Sequence, residues 1–332
     1  MGTGTIATEQ MVAAIRMMGH EPLWVVSRNK EYARFFSVDT GIPHTATDAR
    51  RALLDPAVGF AYVSAVRDRR KHYVSAAGAA RKHVLCDGPL SHSSRTANDL
   101  VHQCREAGVL LALNQPFRAS TIHQTMSRLL REGEIGKLQS VVVVRGAPFS
   151  PPANRRREGE SIEGDILFDL SVDDIDLARF LSGQEPQEVS VVPGDVSGHR
   201  RQQIAYSIRM TGEVIFQAYE SFSTAEIESI VMLAGSHGTL IAHGTLNARG
   251  PGTLVRRVSG RNELTPVRER DPHHATIEEF LALRRRQSEW LCQGDDNVIA
   301  LRAIEALAQA DRKHRSIKLV GDSKANTTKE LV

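Results

Sequence analysis

Gly2-Thr3-Gly4-Thr5-Ile6-Ala7 opens the chain with a G-x-G-x-x-A spacing, and an amphipathic stretch from Thr8 to Met18 follows it. Between a strand and a helix this spacing has a physical reading. The first glycine makes a tight bend, the second lets backbone approach a pyrophosphate, and the small last residue lets the helix lie close to the strand. The helix N-terminus adds the positive end of a dipole. Gly2, Thr3, Gly4, Thr5 and Ile6 are therefore candidate cofactor contacts, although a plain flexible Gly/Thr terminus fits the same residues. Such a turn should follow a strand, and only Met1 precedes it. In the usual order that strand lies centrally, so its absence leaves a gap and two unpaired neighbours. The expectation is a chain that extends upstream of Met1 by one short apolar strand.

Beyond this turn, apolar runs at 23–26, 59–63, 83–86 and 109–113 alternate with amphipathic segments at 30–36, 70–80 and 94–107. That alternation predicts a parallel sheet with crossover helices, its strands apolar on both faces. Ser93 or Ser94 is placed to cap the last of these helices. After Asn114 the texture changes. A helical stretch at 120–132 leads to a valine-rich strand at 139–145, and strand-like runs recur from 186 to 260, joined by short turns such as Met210-Thr211-Gly212-Glu213. These predict a large open, mostly antiparallel sheet. Helices at 276–290 and 297–313 and a strand at 317–320 follow. The fold class read from this pattern is α/β, with a dinucleotide-binding domain at 1–116, a second domain at 117–320 and a frayed tail at 321–332. The segment 148–160, with three prolines ahead of Arg155-Arg156-Arg157, reads as a mobile loop.

The 332 residues include 42 Lys plus Arg against 39 Asp plus Glu, a net charge of +3. So small a surplus argues against a nucleic-acid partner, which needs a concentrated basic face. Three widely spaced cysteines (Cys86, Cys104, Cys292) form neither a disulfide framework nor a zinc motif, which points to a reducing cytoplasm. No apolar run reaches the roughly 18–20 residues a bilayer demands, so no membrane role is expected. At the end of the second strand an acidic residue would hold a ribose 2′-hydroxyl and a basic one a 2′-phosphate. Ser27-Arg28 stands there, favouring NADP(H) with NAD(H) possible; a solvated loop charge is the other reading of Arg28.

With these residues in hand, the chain resembles the Gfo/Idh/MocA oxidoreductases over nearly its whole length. Tyr62-Val63-Ser64-Ala65 resembles the start of the family's Y-I-A-T-P-N-x-x-H segment, and Lys82 to Leu90 resembles K-H-V-L-C-E-K-P-L. Asn114 to Arg118 falls on a short Asn/His-to-Arg segment. Ile135-Gly136 resembles a G-x-I-G turn, Gly164 to Arg179 resembles G-G-x-L-x-D-x-G-x-H-x-x-D-x-x-R, and Ala234 to Leu240 resembles G-S-x-G-T-L. The resemblance implies a Rossmann domain, a second α/β domain whose sheet joins subunits into a homodimer or homotetramer, a nicotinamide cofactor, and a small sugar, polyol or related carbonyl substrate. It also implies cofactor contacts at Ser64, Ala65, Arg67, Asp87 and Asn114.

The departures cluster where the nicotinamide would lie. Gly88 stands where the family has its proton-handling lysine, and Asp173 where it has a histidine; Ala65-Val66-Arg67 replaces Thr-Pro-Asn, and Arg70 a histidine. The remaining acid/base candidates are Asp169, Asp173 and Asp176, whose spacings of four and three share a helix face and raise at least one pKa. Asp174 would point elsewhere. Asp169 and Asp176 could equally cap the helix or pair with Arg179. No metal site is expected from these residues. His72, His83, His92, His102 and His123 read as surface or packing groups, whereas His273-His274 opens a helix where the family often has a substrate-domain tyrosine. The expectation is an oxidoreductase with an atypical proton relay. The alternative is a non-redox member, either a regulatory binding protein or an enzyme using tightly held cofactor for a net non-redox step.

Overall fold

The computed structural model describes residues 1–4, 6–147, 165–194, 196–197, 200–224, 226–246, 252–283 and 288–319. Thr5, Gly164, Val320, the 148–160 loop with Arg155 to Arg157, and the 321–332 tail lie outside them.

Ala7–Met11 is a π-wound turn that runs directly into α1 (Val12–Met17). After β1 (Trp24–Val26) comes α2 (Lys30–Thr40), begun by Asn29, whose side chain accepts from the amides of Glu31 and Tyr32, and ended by Gly41 at φ +71°. Only glycine adopts that conformation cheaply. β2 (His44–Ala46) and α3 (Ala49–Leu53) follow, both too short to show a periodicity in the sequence. β3 (Phe60–Val63), α4 (Arg67–Ala79), β4 (His83–Asp87), α5 (Ser94–Glu106) and β5 (Leu111–Asn114) complete the alternation. Ser93 is the cap of α5, accepting from Thr96 N.

All pairings here are parallel: β1 with β2, and β3 with β4 with β5. Between β1 and β3 lies Met1-Gly2. Met1 N donates to Tyr62 O at 2.7 Å, Ser64 N donates to Met1 O at 2.9 Å, and Gly2 N donates to Val26 O at 2.9 Å. This is the register of a parallel strand end held by both neighbours. A cavity of ≈ 260 Å³ lies beside Met1 and Gly2, walled also by Leu23, Trp24, Val25, Gly59, Phe60 and Ala61.

α6 (Pro116–Ala119) and α7 (Thr121–Arg131) lead to β6 (Leu138–Gly146). A second π turn (Leu167–Ser171) opens α8 (Val172–Ser182). The strands β7 (Pro186–Pro193), β8 (Val196–Ser197), β9 (Arg200–Arg201), β10 (Gln203–Met210), β11 (Ile215–Ser221), β12 (Ile230–Gly235), β13 (Gly238–His243), β14 (Thr253–Val258) and β15 (Arg261–Thr265) then run in succession. They build a nine-stranded sheet ordered β15-β14-β13-β12-β6-β11-β10-β7-β16, β16 being Ile317–Lys318, while β8 and β9 form a separate hairpin. Every pair in the large sheet is antiparallel except β6 with β11. One face is apolar and buried, carrying Val141, Val143, Ile204, Ile208 and Phe216, with α7, α8 and α10 (Gly294–Lys313) against it.

The helix expected at 276–290 is α9 (Pro272–Ala282), which starts earlier because Asp271 caps it by accepting from His274 N. α9 and α10 return to the first sheet. Phe280 stacks edge-on with Phe60 at 5.5 Å, Leu113 N donates to Cys292 O at 2.8 Å, and α10 lies along α5. Among the described residues, no helix is long and apolar enough to cross a membrane.

Candidate active site

The glycine turn is built around contact with the end of β3. Gly2 has φ +95°, and a Cβ there would lie 2.5 Å from Ala65 N; one on Gly4 would lie 3.2 Å from Ser64 O. Both positions therefore need glycine for closeness, and Gly2 for conformation as well. The side chain of Ile6 makes no cap to the Ala7 turn, whose Thr8 N donates to Gly4 O at 3.2 Å. Ser27 is buried and Arg28 exposed beside the turn. Burial raises the pKa of the Tyr73 phenol, and the charges of Arg28 and Arg69 both oppose that rise, so both cations lie near this ring. Thr3, Gly4, Ile6, Ser64 and Ala65 lie at the same end of the strands.

One strand further, the carboxyl ends of β4 and β5 carry a hydrogen-bonded group. Asp87, buried, accepts from Tyr62 Oη at 2.6 Å and from Asn114 Nδ2 at 3.1 Å. Because the Asn114 amide spends its N–H on Asp87, its Oδ1 faces His273 Nδ1 at 3.3 Å, and the ring must donate there. Neutral His273 then keeps its lone pair on Nε2. Burial pushes its pKa below the ordinary histidine value. Burial first, then Asp87, holds the Tyr62 phenol well above its usual range.

The three aspartates singled out by spacing each reach a different partner far away in sequence. Asp169 lies in the π turn and pairs with Arg67 at 2.7 Å. Asp173, one turn along, accepts from Gln115 Nε2 at 3.2 Å. Asp176 is held at both oxygens by Arg118, Nε to Oδ2 at 2.7 Å and Nη2 to Oδ1 at 2.6 Å. The buried partner of Asp176 is thus Arg118, while Arg179, the partner expected for it, stands 3.9 Å away. Asp174 points the other way, to Arg145 on β6 at 3.0 Å, beside the buried Glu220 that Tyr206 and Ser171 engage. That cluster fixes α8 on the sheet and so fixes the direction of Asp173.

Asp173 is half-buried at its surface yet enclosed by protein. Burial is the largest cause raising its pKa to about 6, Asp174 and Asp176 add to the rise, and Arg145 and the Gln115 hydrogen bond oppose it. Gly88 lies against Gln115: a Cβ on Gly88 would be 3.2 Å from Gln115 Nε2. The carboxamide that holds Asp173 thus fills the space beside the position where a lysine would extend. Tyr62, Gln115 and Arg118 were not read as site residues, since nothing local marks a contact made 25 residues away, as for Tyr62, or 58, as for the other two. Among the described residues, no group of three or more His, Cys, Asp or Glu side chains is arranged to hold a metal ion.

Residues 1–115 match the family described as an oxidoreductase family with an NAD-binding Rossmann fold, and residues 123–241 match the GFO/IDH/MocA C-terminal domain. The chain is 27% identical to a 1,5-anhydro-D-fructose reductase of Ensifer adhaerens over 316 residues, covering 93% of this chain and 94% of that one. It is 22% identical to D-xylose 1-dehydrogenase (NADP(+)) 2 of Haloferax volcanii, covering 96% and 98%. In fold it is similar to an aldose-aldose oxidoreductase of Caulobacter crescentus, with a TM-score of 0.85 at 21% identity, over 96% of this chain and 98% of that one. The glycine turn, the strand-end residues and these matches together establish that this chain belongs to the GFO/IDH/MocA family of oxidoreductases.

Proposed function

We propose that the chain is an NADP(H)-preferring dehydrogenase or reductase of a sugar, polyol or related hydroxy or carbonyl compound, with Asp173 as its proton carrier. One observation carries this reading: a carboxyl with its pKa raised to about 6 lies beside the strand ends, held by Gln115 where the family's lysine is missing. The relatives named for anhydrofructose and xylose support the substrate class. Arg28 and Arg69 support a 2′-phosphate, because two exposed cations near the Tyr73 ring favour an added dianion.

The residues present fit a dinucleotide, since the turn at Gly2 packs bare backbone against the end of β3, where a Cβ would clash with Ala65 N at 2.5 Å. When bound, a nicotinamide supplies the hydride chemistry. Gly2, Thr3 and Gly4 bring backbone to the pyrophosphate, and Asp87, fixed by Tyr62 and Asn114, accepts from a ribose hydroxyl. Gln115 holds Oδ1 of Asp173, leaving the second oxygen to take the substrate's hydroxyl proton in oxidation and to return it in reduction. A carboxyl titrating near the working pH does both, whereas an ordinary aspartate would be too weak a base. His273, with Nε2 free to accept, orients a second substrate hydroxyl.

The first unit spans 1–116 and the second 117–320, and two copies join through the half-exposed face of the large sheet in the cytoplasm. A solution mass of one chain would remove that last element. The test of function is the reduction of NADP+ by a panel of aldoses and polyols. Asp173→Asn should lower kcat by roughly two to four orders of magnitude while NADP(H) affinity is retained. Unchanged turnover in that variant would overturn the role of Asp173, and binding without turnover by wild type across the panel would favour the non-redox reading.

A further inference from the structure

Arg67 is the first residue of α4 and only 8% exposed, yet its Nε and Nη1 are buried without any hydrogen-bond partner. Its other terminal nitrogen is used: Nη2 donates to Asp169 Oδ1 at 2.7 Å and to Phe168 O at 3.2 Å, and the Phe168 ring covers the guanidinium at 5.1 Å. Leaving charged donors dry and unpaired is costly, so such a group marks a site completed by something else. A second buried atom beside the same loop is in the same condition, the hydroxyl of Ser64. Val66, which precedes the 13-residue helix α4, offers no side-chain cap to its first amides. Arg70 adds a cation whose hydrogen bonds go only to carbonyl oxygens, those of Ala65 and Pro89. Against these stand the carboxylates of Asp169 and Asp165 and the half-buried His92, which pairs with Asp68. The charges nearly balance at this strand end, but among the described residues Nε and Nη1 of Arg67 and the hydroxyl of Ser64 are left without an acceptor.

From this arrangement we infer that Arg67 receives an anionic group, and that the group is a carboxylate of the substrate. The assignment rests on the oxidoreductase reading above and narrows its substrate to sugar acids, the aldonate or uronate class. Arg67 is tied to Phe168 and Asp169, on the segment that presents Asp173 one turn later, so it flanks the reacting group. The pyrophosphate has its own cradle at Gly2 and Gly4. A guanidinium suits a planar carboxylate, and the neutral amide of the same acid would bring N–H groups against N–H groups.

The test compares D-glucuronate with D-glucuronamide, and D-gluconate with sorbitol, by calorimetric binding to the NADP+-loaded protein and by NADP+ reduction. Wild type should bind at least one acid roughly tenfold or more tightly than its neutral counterpart. Arg67→Asn should erase that preference and leave the neutral compound's affinity unchanged; because the family resemblance places Arg67 among the cofactor contacts, NADP(H) affinity is measured beside it and should fall by much less than the affinity for the acid. Arg67→Lys, which keeps the charge beside Asp169, serves where the asparagine variant unfolds, and should retain part of the preference. Equal binding of acid and amide by wild type overturns the inference while leaving the oxidoreductase reading intact if sorbitol is oxidised. A loss in NADP(H) affinity as large as the loss for the acid reassigns the anion to a cofactor phosphate and also overturns it. Arg67-dependent acid binding without any turnover leaves this site standing and removes the redox reading instead.

Discussion

Asp173 and Gln115 show how one contact sets a chemistry. Burial raises the carboxyl, and the Gln115 amide opposes that rise by stabilising the charged form. Removing the donor in Gln115→Leu should therefore move the acid limb of the pH profile for kcat/KM upward, by a few tenths of a unit to one unit. A limb that stays in place or moves down would show that Gln115 does not act on Asp173. The spacing of Asp169, Asp173 and Asp176 was legible in the sequence as a common helix face. Their separate fates were not: Arg67, Gln115 and Arg118 reach them from 58 to 102 residues away in sequence, and no local pattern encodes which of three similar carboxylates meets an arginine fork and which meets an amide.

The element that most constrains the site is the glycine turn. It is legible from six residues, because its requirement is steric. Gly2→Ala would place a methyl 2.5 Å from Ala65 N at φ +95°, so the turn must open or the end of β3 must move. The expected outcome is a loss of roughly 1–3 kcal/mol of stability together with weakened NADP(H) binding, read by thermal denaturation with and without cofactor. Full stability with unchanged binding would show that the turn does not touch β3 as described. The π turns at Ala7–Met11 and Leu167–Ser171 were not visible in the sequence, since a single wide turn leaves the apolar spacing nearly unchanged. β2 and α3 escaped for the opposite reason, being shorter than one period of any pattern.

At the scale of the whole molecule, the parallel alternation ends at Asn114 and the broad sheet begins at Leu138, as the change of texture suggested. The return of α9 and α10 onto the first sheet was not foreseen. Apolar periodicity shows that a helix buries a face, but it does not show which of two neighbouring sheets receives it. That return matters to function, because α9 carries His273 to Asn114 and α10 closes the cleft over Arg118, whose charge Asp176 and Asp296 share. The folded pKa of Asp173 lies above its unfolded value, so the folded state binds the extra proton between about pH 4 and 6, and what this group adds to stability is lost as pH rises through that window. Activity has the reverse sense, since the base of alcohol oxidation works only when deprotonated. The most direct measurement is the pH dependence of kcat/KM for NADP+-linked oxidation of a sugar or sugar acid, in wild type and in Asp173→Asn. Wild type should rise with pH through a limb near 6 and then level, and the variant should lose that limb along with most of its rate; the same limb at the same pH in the variant would contradict Asp173 as the proton carrier.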